Sequence, residues 1–168
     1  MSSNPYAAPR AAVEDIEAAQ EYQEIRMWSA RGRLGRLRYL AYTTGAYLIA
    51  GVVAGILGAV LGESAAALLL LAVYLAVTVF AVLISIQRSH DMDWNGWTVL
   101  LTLIPFVALI WIFKRGSAGV NGYGAPPPPN TLGVKILGLL LPTLALIGLL
   151  AAIVIPAYAE YTRRAAGG

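Results

Sequence analysis

The chain has 168 residues, of which 58% are hydrophobic and 12% charged, and its mean hydropathy is +0.67. Soluble domains carry roughly 25% charge, so a water-soluble domain of ordinary composition is excluded. A net charge of +3 with pI near 9.3 does not point to nucleic acid. Five of the twelve basic residues are gathered between Arg26 and Arg38, and no basic stripe with interleaved aromatics occurs elsewhere. Cysteine is absent, which removes disulfides, thiolate nucleophiles and cysteine metal ligands.

The first ten residues, MSSNPYAAPR, carry two prolines among small residues and read as an extended tail. No apolar core follows Met1 closely enough for a signal peptide. From Ala11 to Trp28, Val13, Ile16, Ala19, Tyr22, Ile25 and Trp28 recur every third residue, with Glu14, Asp15, Glu17, Glu21 and Glu24 between them. That pattern fits a short amphipathic helix with its acids toward the N-terminus, where the dipole favours them. A solvated acidic leader fits as well, because a period of three drifts around a 3.6-residue helix.

Arg31, Arg33, Arg36 and Arg38 fall within eight residues, flanked by Trp28, Tyr39 and Tyr42. They read as an interfacial anchor, with arginines among lipid phosphates and aromatics at headgroup depth. The positive-inside rule then places the N-terminus in the cytoplasm.

Four stretches contain no Asp, Glu, Lys, Arg or His: Tyr39–Gly62, Ser64–Gln87, Trp94–Phe113 and Ile136–Ala159. A helix needs about 20 apolar residues to cross a roughly 30 Å hydrocarbon core, and each stretch is long enough. None shows the polar residue every third or fourth place that a soluble bundle requires. The expected fold is therefore all-α and polytopic, with four apolar helices at about 39–62, 64–87, 97–113 and 136–156. The first holds Gly51-x-x-x-Gly55 and Gly58-x-x-x-Gly62, a face stripped to backbone on which another helix can pack. Packing within the chain against the second span is favoured over dimerisation. The short connection Gly62-Glu63-Ser64 makes the first two spans an antiparallel hairpin.

Between the second and third stretches lies a polar joint, Gln87-Arg-Ser-His-Asp-Met-Asp-Trp-Asn-Gly-Trp97. A His-Asp pair suggests metal hydrolysis, but such sites draw three or more ligands from several places. One histidine and few acids do not supply them. Pairing of Arg88, His90, Asp91 and Asp93 with each other, with helix ends or with lipid heads is the better reading. Asn95-Gly96 signals a turn, Trp94 and Trp97 suit the interface, and Asp93 or Asn95 can cap the next helix. Pro105 stands in the middle of the third stretch and either kinks a full crossing, the favoured reading, or turns the chain back.

Residues 114–135 form a loop with Gly116, Gly119, Gly122 and Gly124 ahead of Pro126–Pro129. No strand precedes these glycines and no Gly-Lys-Ser/Thr follows, so they are not a phosphate-binding loop. The proline run is a stiff spacer. The last span ends on Tyr158, Tyr161, Arg163 and Arg164, an aromatic and basic cuff. With no internal repeat and no ionisable residue inside a span, transport is disfavoured.

Three motifs, in order, resemble the bacterial membrane family termed domain of unknown function 805. They are Arg31-Gly-Arg33 with Gly35-Arg36 and Arg38-Tyr39; Arg88-Ser-His-Asp91 with Asn95-Gly96-Trp97 and Ile104-Pro105; and Gly116, Gly119, Asn121 and Tyr123-Gly124. Gln87 stands where that family usually has a second arginine. The resemblance covers about residues 28–127 and implies a small inner-membrane protein of unknown activity. Residues 147–162 are similar to the N-terminal helix of type IV pilins, including Pro156-Ala157-Tyr158. The phenylalanine and glutamate of the pilin processing signal are replaced by Lys135 and Leu139.

Three regions follow: a tail at 1–27, a family-like membrane domain at 28–127, and a linker with a pilin-like helix at 128–168. The functional expectation is a non-enzymatic interaction or scaffold protein of the inner membrane, without cofactor or metal, contacting lipid and a homo-oligomeric or pilin-like partner. The competing expectation is a small transporter or channel component that acts as an oligomer. Four crossings return the C-terminus to the cytoplasm, whereas the pilin likeness points it outward.

Overall fold

A computed structural model describes residues 22–167, and among these it is helical with no strand. Three helices are long and apolar enough to cross a membrane: α1 (Arg36–Gly62), α2 (Ser64–Asp91) and, later in the chain, Leu132–Ala166, with window hydropathies of 2.0, 2.9 and 2.6. The protein is a multi-pass membrane protein. The helical stretch from Arg36 to Asp91 is divided at Gly62, whose φ of 72° and ψ of 168° are open to glycine and strained for other residues. That one residue turns α1 into α2.

The third apolar stretch does not form the fourth long helix. It splits into a 3-10 helix, Gly96–Leu103, and a short helix α3, Pro105–Phe113, with Ile104 extended between them (φ −93°, ψ 112°). Pro105 lacks an N–H and disfavours helical geometry in the residue before it, so the chain breaks one residue ahead of the proline. The pieces reach about 16 Å and about 14 Å, each half of a roughly 30 Å core.

They also run out and back. Gly96 lies against Ile86 and His90, while Trp111 bonds to Ser85 and Ser89. Both ends of the segment therefore meet the C-terminal end of α2. Between them, Val99 and Thr102 share a cavity of about 280 Å³ with Tyr47, Tyr74, Thr78 and Val82.

The last helix, α4 (Leu132–Ala166), is capped by Thr131 Oγ1, which accepts from Val134 N at 3.4 Å. It continues through both Pro142 and Pro156 to Ala166, past the end expected at about residue 156. Gly138 is its one buried residue, and a Cβ there would lie 2.5 Å from the backbone oxygen of Leu37. A helix crossing this close needs glycine.

Residues 22–28 do not continue an amphipathic helix. Gln23 N donates to Pro126 O at 3.2 Å, which holds this segment against the loop instead. The rest of the expected amphipathic stretch lies outside the described residues.

Candidate functional site

The polar joint closes into a knot around Asp91, the last residue of α2. Its Oδ2 accepts from Arg88 Nη1 at 2.7 Å, and its Oδ1 accepts from Arg33 Nη2 at 3.2 Å and Nε at 3.3 Å. The side chains of both arginines are fully buried, and that of Asp91 is 4% exposed. Burying an ion is costly unless its remaining donors and acceptors are satisfied, and here they are. Arg33 also donates to the carbonyls of Ser117, Gly119 and Gly124 at 2.7, 2.6 and 3.1 Å, so all five of its N–H donors are used. Arg88 Nε donates to Trp111 O at 2.9 Å, and its Nη2 donates to Lys114 O.

The two guanidinium groups thereby join four segments: the approach to α1, the end of α2, the end of α3 and the glycine loop. Ser117 fastens that loop from the other side, with its N and Oγ donating to Asp91 O at 2.7 and 2.9 Å. Gly116 lets the loop pass, since a Cβ there would fall 2.0 Å from Asp91 Oδ2. Asn121 Nδ2 donates to His90 O at 2.9 Å and to Ser117 Oγ at 3.0 Å. Asn121 Oδ1 accepts from Tyr123 N at 2.9 Å, and Asn121 and Gly124 exchange backbone bonds. The His90 ring stacks on Tyr123 at 3.9 Å and 5°, with Nδ1 3.2 Å from Gly32 O.

Among the residues expected here, Arg88, His90, Asp91, Asn121, Tyr123 and Gly124 are brought together. Asn95 and Gly96 stand beside them: Asn95 Oδ1 caps the 3-10 helix by accepting from Trp97 N at 3.0 Å, and a Cβ on Gly96 would press on Ile86 and His90. The Trp97 side chain is exposed.

The four arginines before α1 do not form one anchor. Arg33 is in the knot, and Arg38 is buried, donating to the carbonyls of Pro128 and Pro129 at 3.0 Å each. Arg36 donates to Phe113 O at 3.1 Å. Arg36 and Arg31 are the exposed members. The spacer of prolines is thus tied to α1 by Arg38.

Gly51, Gly55 and Gly58 are remote from the knot, and a Cβ on any of them meets nothing within 4 Å. The favoured packing of this face against α2 does not occur.

Several members have roles that the sequence did not show. Gln87 Nε2 donates to Arg26 O at 2.9 Å and to Ser29 O, and its own carbonyl accepts from Leu34 N at 3.0 Å. Trp111 is fully buried, donating Nε1 to Ser89 Oγ at 3.1 Å. Trp94 meets it edge-on at 5.6 Å, and Lys114 Nζ lies 4.0 Å over the Trp94 ring. A lone tryptophan beyond Pro105 was the one available signal for this cluster. Among the described residues, no group of three or more histidine or carboxylate side chains is placed to hold a metal.

The residues so joined run from the approach to α1 through the glycine loop, and a family model described as "Protein of unknown function (DUF805)" matches residues 27–125. The chain belongs to this family. No curated protein and no solved structure matches it. The DUF805 region contains both partners of each buried ion pair and every member of the loop network up to Gly124, whereas α4 lies outside it. At the centre of the DUF805 region, both oxygens of Asp91 accept from guanidinium groups.

Proposed function

We propose that the protein is a non-enzymatic interaction protein of the bacterial inner membrane, in which the knot holds one end of the bundle rigid and α4 offers its surface to a partner helix within the bilayer. One observation carries this reading. Of the 35 residues in α4, only Gly138 is buried, and apolar side chains such as Leu146, Ile153 and Ile155 stay exposed on it. The same exposure is found on α1 and α2, but α4 alone contributes nothing to the knot, so its surface beyond the crossing at Gly138 is free to pack against a partner. Its likeness to the pilin N-terminal helix over residues 147–162 supports a pilin-type helix as the partner, because pilins meet one another through that surface.

Residues 96–113 dip and return, so three crossings leave the knot and the N-terminus on one side and the C-terminus on the other. We take the knot side to be the cytoplasmic one. Arg26, Arg31, Arg36, Arg38, Lys114, Arg115 and Lys135 lie on the knot side against Arg163 and Arg164 at the other end of α4, and the larger basic cluster favours a cytoplasmic knot under the positive-inside rule. A carboxylate held by two buried guanidinium groups supports the non-enzymatic reading.

A photo-crosslinking residue at Ile153 tests the partner. The expected product joins α4 to a membrane polypeptide bearing a pilin-type helix, while the same probe at Val60 of α1 gives none. Crosslinks to lipid alone at Ile153 would defeat the proposal. For topology, a cysteine at Gly167 should react with a membrane-impermeant thiol reagent on intact cells; a shielded thiol would restore the fourth crossing.

A further inference from the structure

The face that α1 and α2 present on the Trp28 side is not closed. The two helices leave a groove of about 490 Å³, open along one side and bounded at one point by Leu137 of α4. Its α1 wall runs from Ala41 to Val53 and carries Gly45, Ala46 and Ala50; its α2 wall carries Ala76 and Phe80. The small residues make it: a Cβ built at Gly45 meets nothing within 4 Å. At the knot end, Trp28 reaches into it and meets Phe80 at a ring-centre distance of 5.3 Å.

Size, depth and lining decide what fills it. Ala41 to Val53 is about 18 Å of helix at 1.5 Å per residue, so a groove of this volume is long and narrow. A helix of a partner or of a second copy, about 10–12 Å across with its side chains, would ride on its rim rather than fill it. Water is excluded too, since a cavity needs two to four polar partners to hold a water, and this lining is apolar along its length. Left empty, the walls forfeit their dispersion contacts on one side. Both walls lie inside helices of spanning length, so the open side faces the hydrocarbon of the bilayer. The neighbour there that is narrow, apolar and extended is a lipid tail.

We propose that this groove is a binding site for one acyl chain of a bilayer phospholipid, seated between α1 and α2 with Trp28 over its knot-side end. The site is independent of whether α4 has a helical partner. It predicts a bound lipid of fixed position rather than one exchanging freely with the surrounding shell.

The test is native mass spectrometry on the full chain, delipidated in detergent and then given dioleoyl phosphatidylglycerol. One phospholipid per chain should be retained. Ala50→Phe, which fills the groove from α1, and Ala76→Leu, which fills it from α2, should each lower retention at least tenfold. Val60→Phe, on an exposed stretch of α1, should leave it unchanged. Circular dichroism and thermal melting identify a variant that fails to fold, and the two walls give independent readings. In liposomes, lipid brominated along the acyl chain should quench tryptophan emission, and Trp28→Phe should remove a distinct part of that quenching. No retained lipid in the wild-type chain, equal retention in the filled variants, or a groove filler that instead abolishes a dimer mass would each overturn the assignment.

Discussion

The knot and the spans invert each other. At the knot, Arg33 and Arg88 are 0% exposed and Asp91 3%; in the spans, Ile49, Val60 and Leu68 are 68%, 74% and 79% exposed. A water-soluble protein has this the other way round. The bilayer explains the difference, because lipid solvates an apolar side chain as well as a protein interior does, and gives α1, α2 and α4 little reason to pack. A charged group at the membrane surface has no such solvent on the protein side and must be satisfied by the chain. The order of the fold is therefore written at the knot, and substitutions there should cost most.

The largest expected effect is Asp91→Ala. It leaves two buried guanidinium groups without a counter-charge, and removing one partner of a buried pair costs about 3–5 kcal/mol. Detergent-denaturation midpoints should fall accordingly, and protease should cut the loop between Lys114 and Thr131. Asp91→Asn keeps the shape and should fall between wild type and alanine. A neutral Asp91→Ala would mean that the arginines find other partners and the knot is not the fastening it is taken to be.

Gly116→Ala comes next. The added methyl would lie 2.0 Å from Asp91 Oδ2, and the carboxylate cannot yield while two arginines grip it. Overpacking of this kind costs about 1–3 kcal/mol. The control is Gly119, where a Cβ meets nothing within 4 Å but φ is +68°. Alanine there brings backbone strain without the clash, so its midpoint should fall less than that of Gly116→Ala.

Gly138→Ala moves the comparison to the closest approach of α4 to α1. Its Cβ would sit 2.5 Å from Leu37 O, and a backbone oxygen moves only if a helix does. Spin labels on α1 and α4 should show a longer, broader distance distribution, with Gly133→Ala unchanged because a Cβ there meets nothing within 4 Å. Trp111→Phe is smaller again. It removes the indole donor to Ser89 Oγ while keeping most of the ring, which is worth about 0.5–1.5 kcal/mol.

The sequence made the spans legible because length and the absence of charge are one-dimensional quantities. The position of the polar joint was legible for the same reason. Its partners were not. An arginine-rich approach to a span looks alike whether the arginines face lipid or turn inward, so Arg33 and Arg38 read as anchors although both are buried. Gln87 looked like a departure from a family pattern, yet its amide ties the end of α2 to Arg26 and Ser29. The fourth crossing failed on a balance that composition does not show. Trp94–Phe113 is apolar enough to cross, but Pro105 breaks it and the Trp111 indole finds acceptors and a ring contact back at the knot.

The smallest expected effect is the most discriminating for the glycine face of α1. A Cβ at Gly51 meets nothing within 4 Å and the residue is exposed. Within a single chain, Gly51→Ala therefore loses no contact and gains helix propensity, so the monomer should be unchanged or stabilised by up to about 1 kcal/mol. If that face instead packs against a second copy, the same methyl separates two backbones and weakens association. Sedimentation in detergent separates the cases. A monomer unaffected by Gly51→Ala and Gly55→Ala leaves the face to lipid. An oligomer that dissociates in both would assign it to self-association, and the glycines would then be the one part of the spans whose packing is as demanding as that of the knot.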